Sequence, residues 1–100
     1  MTALNGLKIA NMTIYKYPLN KGTITIHKGF RPLSVQMQGN IPVLWAEVDD
    51  NEEQVNVIVK ENYTGTHYQR DSLIYIGTVQ RQLSTTIIVS HFFIDLTTIP

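Results

Sequence analysis

Short runs that alternate apolar and polar residues, each closed by turn-forming residues, are what most constrains this chain. No segment repeats its apolar residues at helical spacing. The runs are 13–19, 23–28, 33–38, 41–48, 54–61, 73–80 and 85–94. Ile24 and Ile26 share one face of the second, Leu33, Val35 and Met37 one face of the third, and Val55, Val57 and Val59 one face of the fifth. Gly39-Asn40 supplies the positive φ of a two-residue hairpin turn, and Pro42 stands near the start of the next strand, where it is tolerated. The pattern predicts an all-β fold, a small antiparallel sandwich or barrel of about seven short strands. Little helix is expected, at most one turn near 2–10 or 68–73.

One hundred residues fit one domain, 1–100, with 1–12 as an N-terminal arm. No apolar run reaches the length of a membrane-spanning helix, and "MTALNGLKIANMT" pairs no basic segment with an apolar one, so neither a membrane partner nor a signal peptide is expected. The chain has no cysteine, which excludes a disulfide framework and thiolate chemistry. Its formal charge is zero, against binding to long nucleic acid. Lys8, Lys16, Lys21, Lys28 and Arg31 nevertheless precede the first acid, and Glu47, Asp49, Asp50, Glu52 and Glu53 then cluster. A basic first half can hold one small anion; it can equally be a solvated surface.

The last run is apolar on both faces: Ile87, Val89 and Phe93 on one, Ile88, Phe92 and Ile94 on the other. A domain this small has difficulty burying two apolar layers alone, so a homo-oligomer is expected.

No signature of catalysis is present. His27, His67 and His91 fall on different elements, without metal-ligand spacing, and no nucleophile elbow or phosphate loop occurs. The acids at 49–53 lack the alternation and glycine of a calcium loop and read as an exposed hairpin tip. His91, between two apolar runs, reads as a core or interface histidine. No cofactor is expected. The richest binding segment is "YTGTHYQR", 63–70: Tyr63 and Tyr68 offer flat surfaces, Thr64 and Thr66 hydroxyls, Gly65 close backbone approach, and His67 and Arg70 donors. A plain polar loop is the competing reading. Trp45 reads as a core anchor. Tyr15 and Tyr17 alternate onto one face and Lys16 onto the other, so the three act together only at an edge, a twist or a subunit boundary.

"IYKYPL", "LSVQMQGNIPVLWAEVD", a Gly/Thr/His loop, "YIGTVQ" and a terminal His followed by aromatics together resemble a family of small phage-encoded proteins, similar to anti-CBASS sponges that sequester cyclic dinucleotides. The likeness spans about 13–93, and the loop reads "TGTH" where the family pattern is "GTGH". The resemblance implies a homo-oligomer, with a tetramer as the expected form, pockets at subunit boundaries, and binding without turnover in the cytoplasm of an infected bacterial host. Carried onto matching positions, the ligand-binding residues are Tyr15, Lys16, Tyr17, Trp45, Gly65 and His67. Arg70 joins them on its own chemistry. The alternative is a non-catalytic phage accessory protein acting through an oligomeric protein–protein surface; an enzyme that cleaves the nucleotide ranks last.

Overall fold

The computed structural model describes residues 11–99. The helical turn considered within 2–10, and Lys8, lie outside them. Seven strands follow one another: β1 (Thr13–Pro18), β2 (Thr23–His27), β3 (Arg31–Gln38), β4 (Ile41–Val48), β5 (Gln54–Tyr63), β6 (Leu73–Leu83) and β7 (Thr86–Asp95). A three-residue 3-10 turn, Leu96–Thr98, follows β7, with the Asp95 side chain accepting from the Thr97 amide. The fold is all-β, as the alternation requires. The helical turn considered at 68–73 does not form; that segment is a loop closed by Ser72 at φ 63°.

The strands make two antiparallel sheets, ordered β1-β4-β3 and β2-β5-β7-β6. β5 is shared along its length: its first half pairs with β2 and its second half with β7. Gln38 pairs with Ile41 around Gly39-Asn40, and Gly39 sits at φ 61°, the conformation the two-residue turn demands. The inner faces meet in one core, in which Ile26, Leu44, Ala46, Val48, Val57 and Phe92 are fully buried. Burial of this apolar surface is what drives the two sheets together, at roughly 25 cal/mol per Å².

Two β-bulges break the alternation. In β3 the register slips between Pro32 and Ser34, so Leu33 is the extra residue and is 41% exposed, not inward as alternation predicts. In β6 it slips between Tyr75 and Gly77, making Ile76 the extra residue. The two bulged strands are the ones that meet at the seam between the sheets. A Cβ placed on Gly77 would stand 2.6 Å from Val35 Cβ, so only glycine permits this approach.

The first-half bases and mid-chain acids are adjacent in space. Lys28 Nζ pairs with Glu53 at 2.8 Å, and Arg31 stands opposite Glu47 across the β3–β4 ladder. The fold thus offsets part of the charge asymmetry along the chain, at Lys28 and Arg31, whereas Lys16 bonds Gln38. At the far end of the core, buried Ser90 donates to Glu61 Oε2 at 2.6 Å and Arg81 reaches the same oxygen at 2.9 Å. Beyond that pair the β6–β7 hairpin runs on uncharged to its tip at Ser84-Thr85, with Ile87 60% exposed.

Substituting Gly77→Ala forces β3 and β6 apart and should lower stability by about 1–3 kcal/mol in urea unfolding, as overpacking does. Gly29→Ala, where an added Cβ meets nothing within 4 Å, should cost less, only the strain of its positive φ.

Candidate functional site

The outer face of the four-stranded sheet carries the site. The ladder places Asn62 beside His91 across β5–β7, His91 beside Thr78 and Phe93 beside Tyr75 across β7–β6. Cross-strand neighbours share a face. Tyr75 and Thr78 are three residues apart and would point to opposite faces of a regular strand. The extra residue at Ile76 resets the alternation, so both project outward.

Over this face folds the loop between β5 and β6. It opens with a turn, Tyr63-Thr64-Gly65-Thr66, in which the Thr66 amide donates to the Tyr63 carbonyl at 3.1 Å. Gly65 at φ 91° occupies the third position, as a type II turn requires. An added Cβ there would meet nothing within 4 Å, so backbone conformation, not crowding, calls for glycine. The turn brings Thr64 Oγ1 to 2.7 Å from His91 Nε2. Farther along, the Tyr68 ring lies 4.9 Å from the Phe93 ring, and Tyr75 meets Phe93 edge-on at 5.8 Å. Between the loop and the sheet is an open cleft of about 410 Å³, walled by Tyr63, Tyr68, Tyr75 and Phe93 and floored by His91.

The loop therefore supplies part of the cover that the outer face of β7 needs. Phe93 is 7% exposed beneath its own chain's tyrosines, without a second copy. Ile87 on the same face stays exposed. His91 has both ring nitrogens bonded, Nδ1 to Thr78 Oγ1 at 2.8 Å and Nε2 to Thr64.

The residues named from sequence fall in three places. Gly65 lines the cleft, and His67 and Arg70 are exposed on the same loop beyond its wall. Tyr15, Lys16 and Tyr17 meet at the β1 edge, with His27 and Gln54, around a second depression of about 320 Å³. Tyr17 packs against the core, and burial is the first cause that raises its hydroxyl pKa above the usual tyrosine value. Lys16 reaches across β4 on the outer face to Gln38 Oε1 at 3.0 Å. Trp45 is its ladder partner on that same face, and is half-buried rather than a core anchor. The outer faces of two stacked sheets point away from each other, so Lys16 and Trp45 do not meet the loop within one protomer. Missed altogether were Tyr75, Thr78 and Phe93 as site members; the bulge that gathers them leaves no mark in the hydrophobic pattern.

The acidic turn holds more structure than an exposed tip. Asp50 accepts from Thr13 Oγ1 at 2.7 Å and from the Tyr15 hydroxyl at 2.9 Å, and His27 Nε2 stands 3.7 Å away. The Thr13 bond, then the Tyr15 bond, hold the Asp50 carboxyl below its ordinary value, and the bond to Asp50 raises Tyr15. Among the described residues no group of three or more metal-ligating side chains occurs, and no helix is long and apolar enough to span a membrane.

Fold and cleft together define a small all-β domain with an aromatic-walled surface site. Residues 10–98 match the family described as Domain of unknown function (DUF7352), and the chain belongs to it. No curated protein and no solved structure matches it significantly.

The Asp50 cluster predicts opposite effects at the two ends of the pH scale. A carboxyl depressed on folding adds stability that is present above its ordinary value of 3.8 and is lost as pH falls through its folded value. A phenol raised on folding adds stability that is present below 10.0 and is lost as pH rises through its folded value. Asp50→Asn should flatten the acid limb of stability against pH and let Tyr15 ionise nearer 10.0 in an ultraviolet titration.

Proposed function

We propose that this domain is a non-catalytic phage protein that takes up a cyclic dinucleotide, such as cyclic GMP-AMP, on the aromatic cleft. By withholding the ligand in the cytoplasm of an infected bacterium it would silence CBASS-type defence. The observation that carries the reading is the cleft itself. Three separate stretches, Tyr63 to Thr66 with Tyr68 of the loop, Tyr75 of β6, and His91 and Phe93 of β7, converge on one ring-lined opening. Rings of this kind hold a purine face by stacking, worth about 1–3 kcal/mol per base.

The phosphates need donors. Among the described residues no lysine or arginine lines the cleft, and the adjoining groove under Tyr68 sets Lys60 among Glu61, Asp71 and Asp95. Within the protomer the cleft itself offers hydroxyls, and His67 and Arg70 stand on the same loop beyond its wall. Tyr15, Lys16, Tyr17 and Trp45, on the other sheet, join such a site only from a neighbouring copy. A homo-oligomer, a tetramer by the resemblance, therefore belongs to the proposal, and a two-fold ligand suits a two-fold interface. A second reading, an accessory protein acting through an oligomeric protein–protein surface, is favoured by the exposed Ile14, Ile74, Leu83 and Ile87.

Calorimetry against a panel of cyclic dinucleotides tests the first reading. Binding with recovery of intact ligand is expected, and Tyr68→Ala should weaken it about 5- to 150-fold by removing one stacked ring. Arg70→Ala should weaken binding and leave melting unchanged, whereas Tyr17→Ala should lower the melting temperature, since that ring packs on the core. No binding at micromolar concentration would remove the reading. Light scattering on the same samples should give a mass several times the protomer's; a monomer at these concentrations would contradict the shared site.

A further inference from the structure

Three side chains that line the cleft, Tyr75, His91 and Thr64, are joined through Thr78 in an unbroken hydrogen-bond chain. The Tyr75 hydroxyl and Thr78 Oγ1 are 2.6 Å apart, Thr78 Oγ1 and His91 Nδ1 2.8 Å, and His91 Nε2 and Thr64 Oγ1 2.7 Å. Three bonds use three protons. With a neutral imidazole the four groups carry four, one on each hydroxyl and one on the ring. One proton is therefore left over: on Thr64 when His91 carries its proton on Nε2, on Tyr75 or Thr78 when it carries it on Nδ1.

The direction of the chain decides which. A phenol is a far stronger acid than an aliphatic alcohol, so Tyr75 is the better donor. With Tyr75 donating to Thr78, the aligned arrangement is the one in which Thr78 in turn donates to His91 Nδ1; a Thr78 that accepted from both sides would break the alignment. The ring proton then sits on Nε2 and is donated to Thr64 Oγ1. The bond to His91 is the one hydrogen bond that Thr64 Oγ1 makes among the described residues, and it is now an accepted one. The Thr64 proton is free, and the residue lines the cleft. Aligned bonds of this kind polarise one another, which strengthens the terminal donor.

We propose that Tyr75, Thr78 and His91 are positioning residues of a one-way relay, and that Thr64 is its recognition end, donating to a phosphate oxygen of the ligand in the cleft. This deepens the binding reading above and rests on it for the identity of the ligand. The relay itself is a property of the protein alone. It also gives the bulge at Ile76 a purpose, because without it Tyr75 and Thr78 would lie on opposite faces.

Two measurements separate the relay from the ligand. Long-range nitrogen–proton correlation spectra of the free protein should show His91 protonated at Nε2 with Nδ1 as acceptor, and Thr78→Val should shift that equilibrium toward the other tautomer. A ring protonated at Nδ1 in the unsubstituted protein would overturn the relay. With cyclic GMP-AMP as probe, Thr64→Val should lose about tenfold or more in affinity, the loss expected of a bond to a charged acceptor, and Thr64→Ser should restore most of it. A Thr64→Val variant that binds with full affinity would overturn Thr64 as the recognition end. An Nε2-protonated ring in a protein that binds no cyclic dinucleotide would uphold the relay and overturn the ligand class.

Discussion

The approach of β6 to β3 at Gly77 and Val35 is the contact on which the rest of the structure depends. It closes the seam between the sheets, and it is possible only because position 77 carries no side chain. The extra residue beside it, Ile76, turns inward to pack against the core and so shifts the phase of β6. On one side of the shift Val79 faces the core; on the other Tyr75 faces out beside Phe93. One irregularity therefore shapes both the interior and the cleft. Bulges recur where a sheet must bend and where a side chain must be re-aimed, and this one does both.

The remaining local structure braces that arrangement. The type II turn at Gly65 carries Thr64 to His91, and Tyr68 then lies across Phe93. On the other sheet Asp50 ties the start of β1 to the β4–β5 turn through Thr13 and Tyr15. The Glu61–Arg81–Ser90 cluster closes the core where the long β6–β7 hairpin leaves it. None of these polar groups is buried without a partner, which is the condition for placing them so near an apolar interior.

Much of the fold was legible. Alternating runs, and one doubly apolar run, between turn residues located the described strands, and Gly39-Asn40 announced its hairpin, because a period of two and a required positive φ are local properties. What was not legible is non-local. Leu33 looked inward because nothing in its neighbours marks a bulge; the slip exists only through its pairing with β4. The doubly apolar β7 suggested cover by another copy, yet Phe93 is covered by a tyrosine from the chain's own loop. Residues 63–70 read from their chemistry as the richest candidate binding segment, against a plain polar loop, but their neighbours on β6 and β7 could be found only by folding the chain.

The account is tested most directly by the side on which Tyr75 lies. In a nuclear Overhauser spectrum of the labelled protein, the Tyr75 ring should contact the Phe93 ring and the Thr78 side chain, with Val79 contacting the interior around Val35 and Leu44. Tyr75 ring contacts to Val79 and the inner face, the pattern of an unbulged strand, would contradict it.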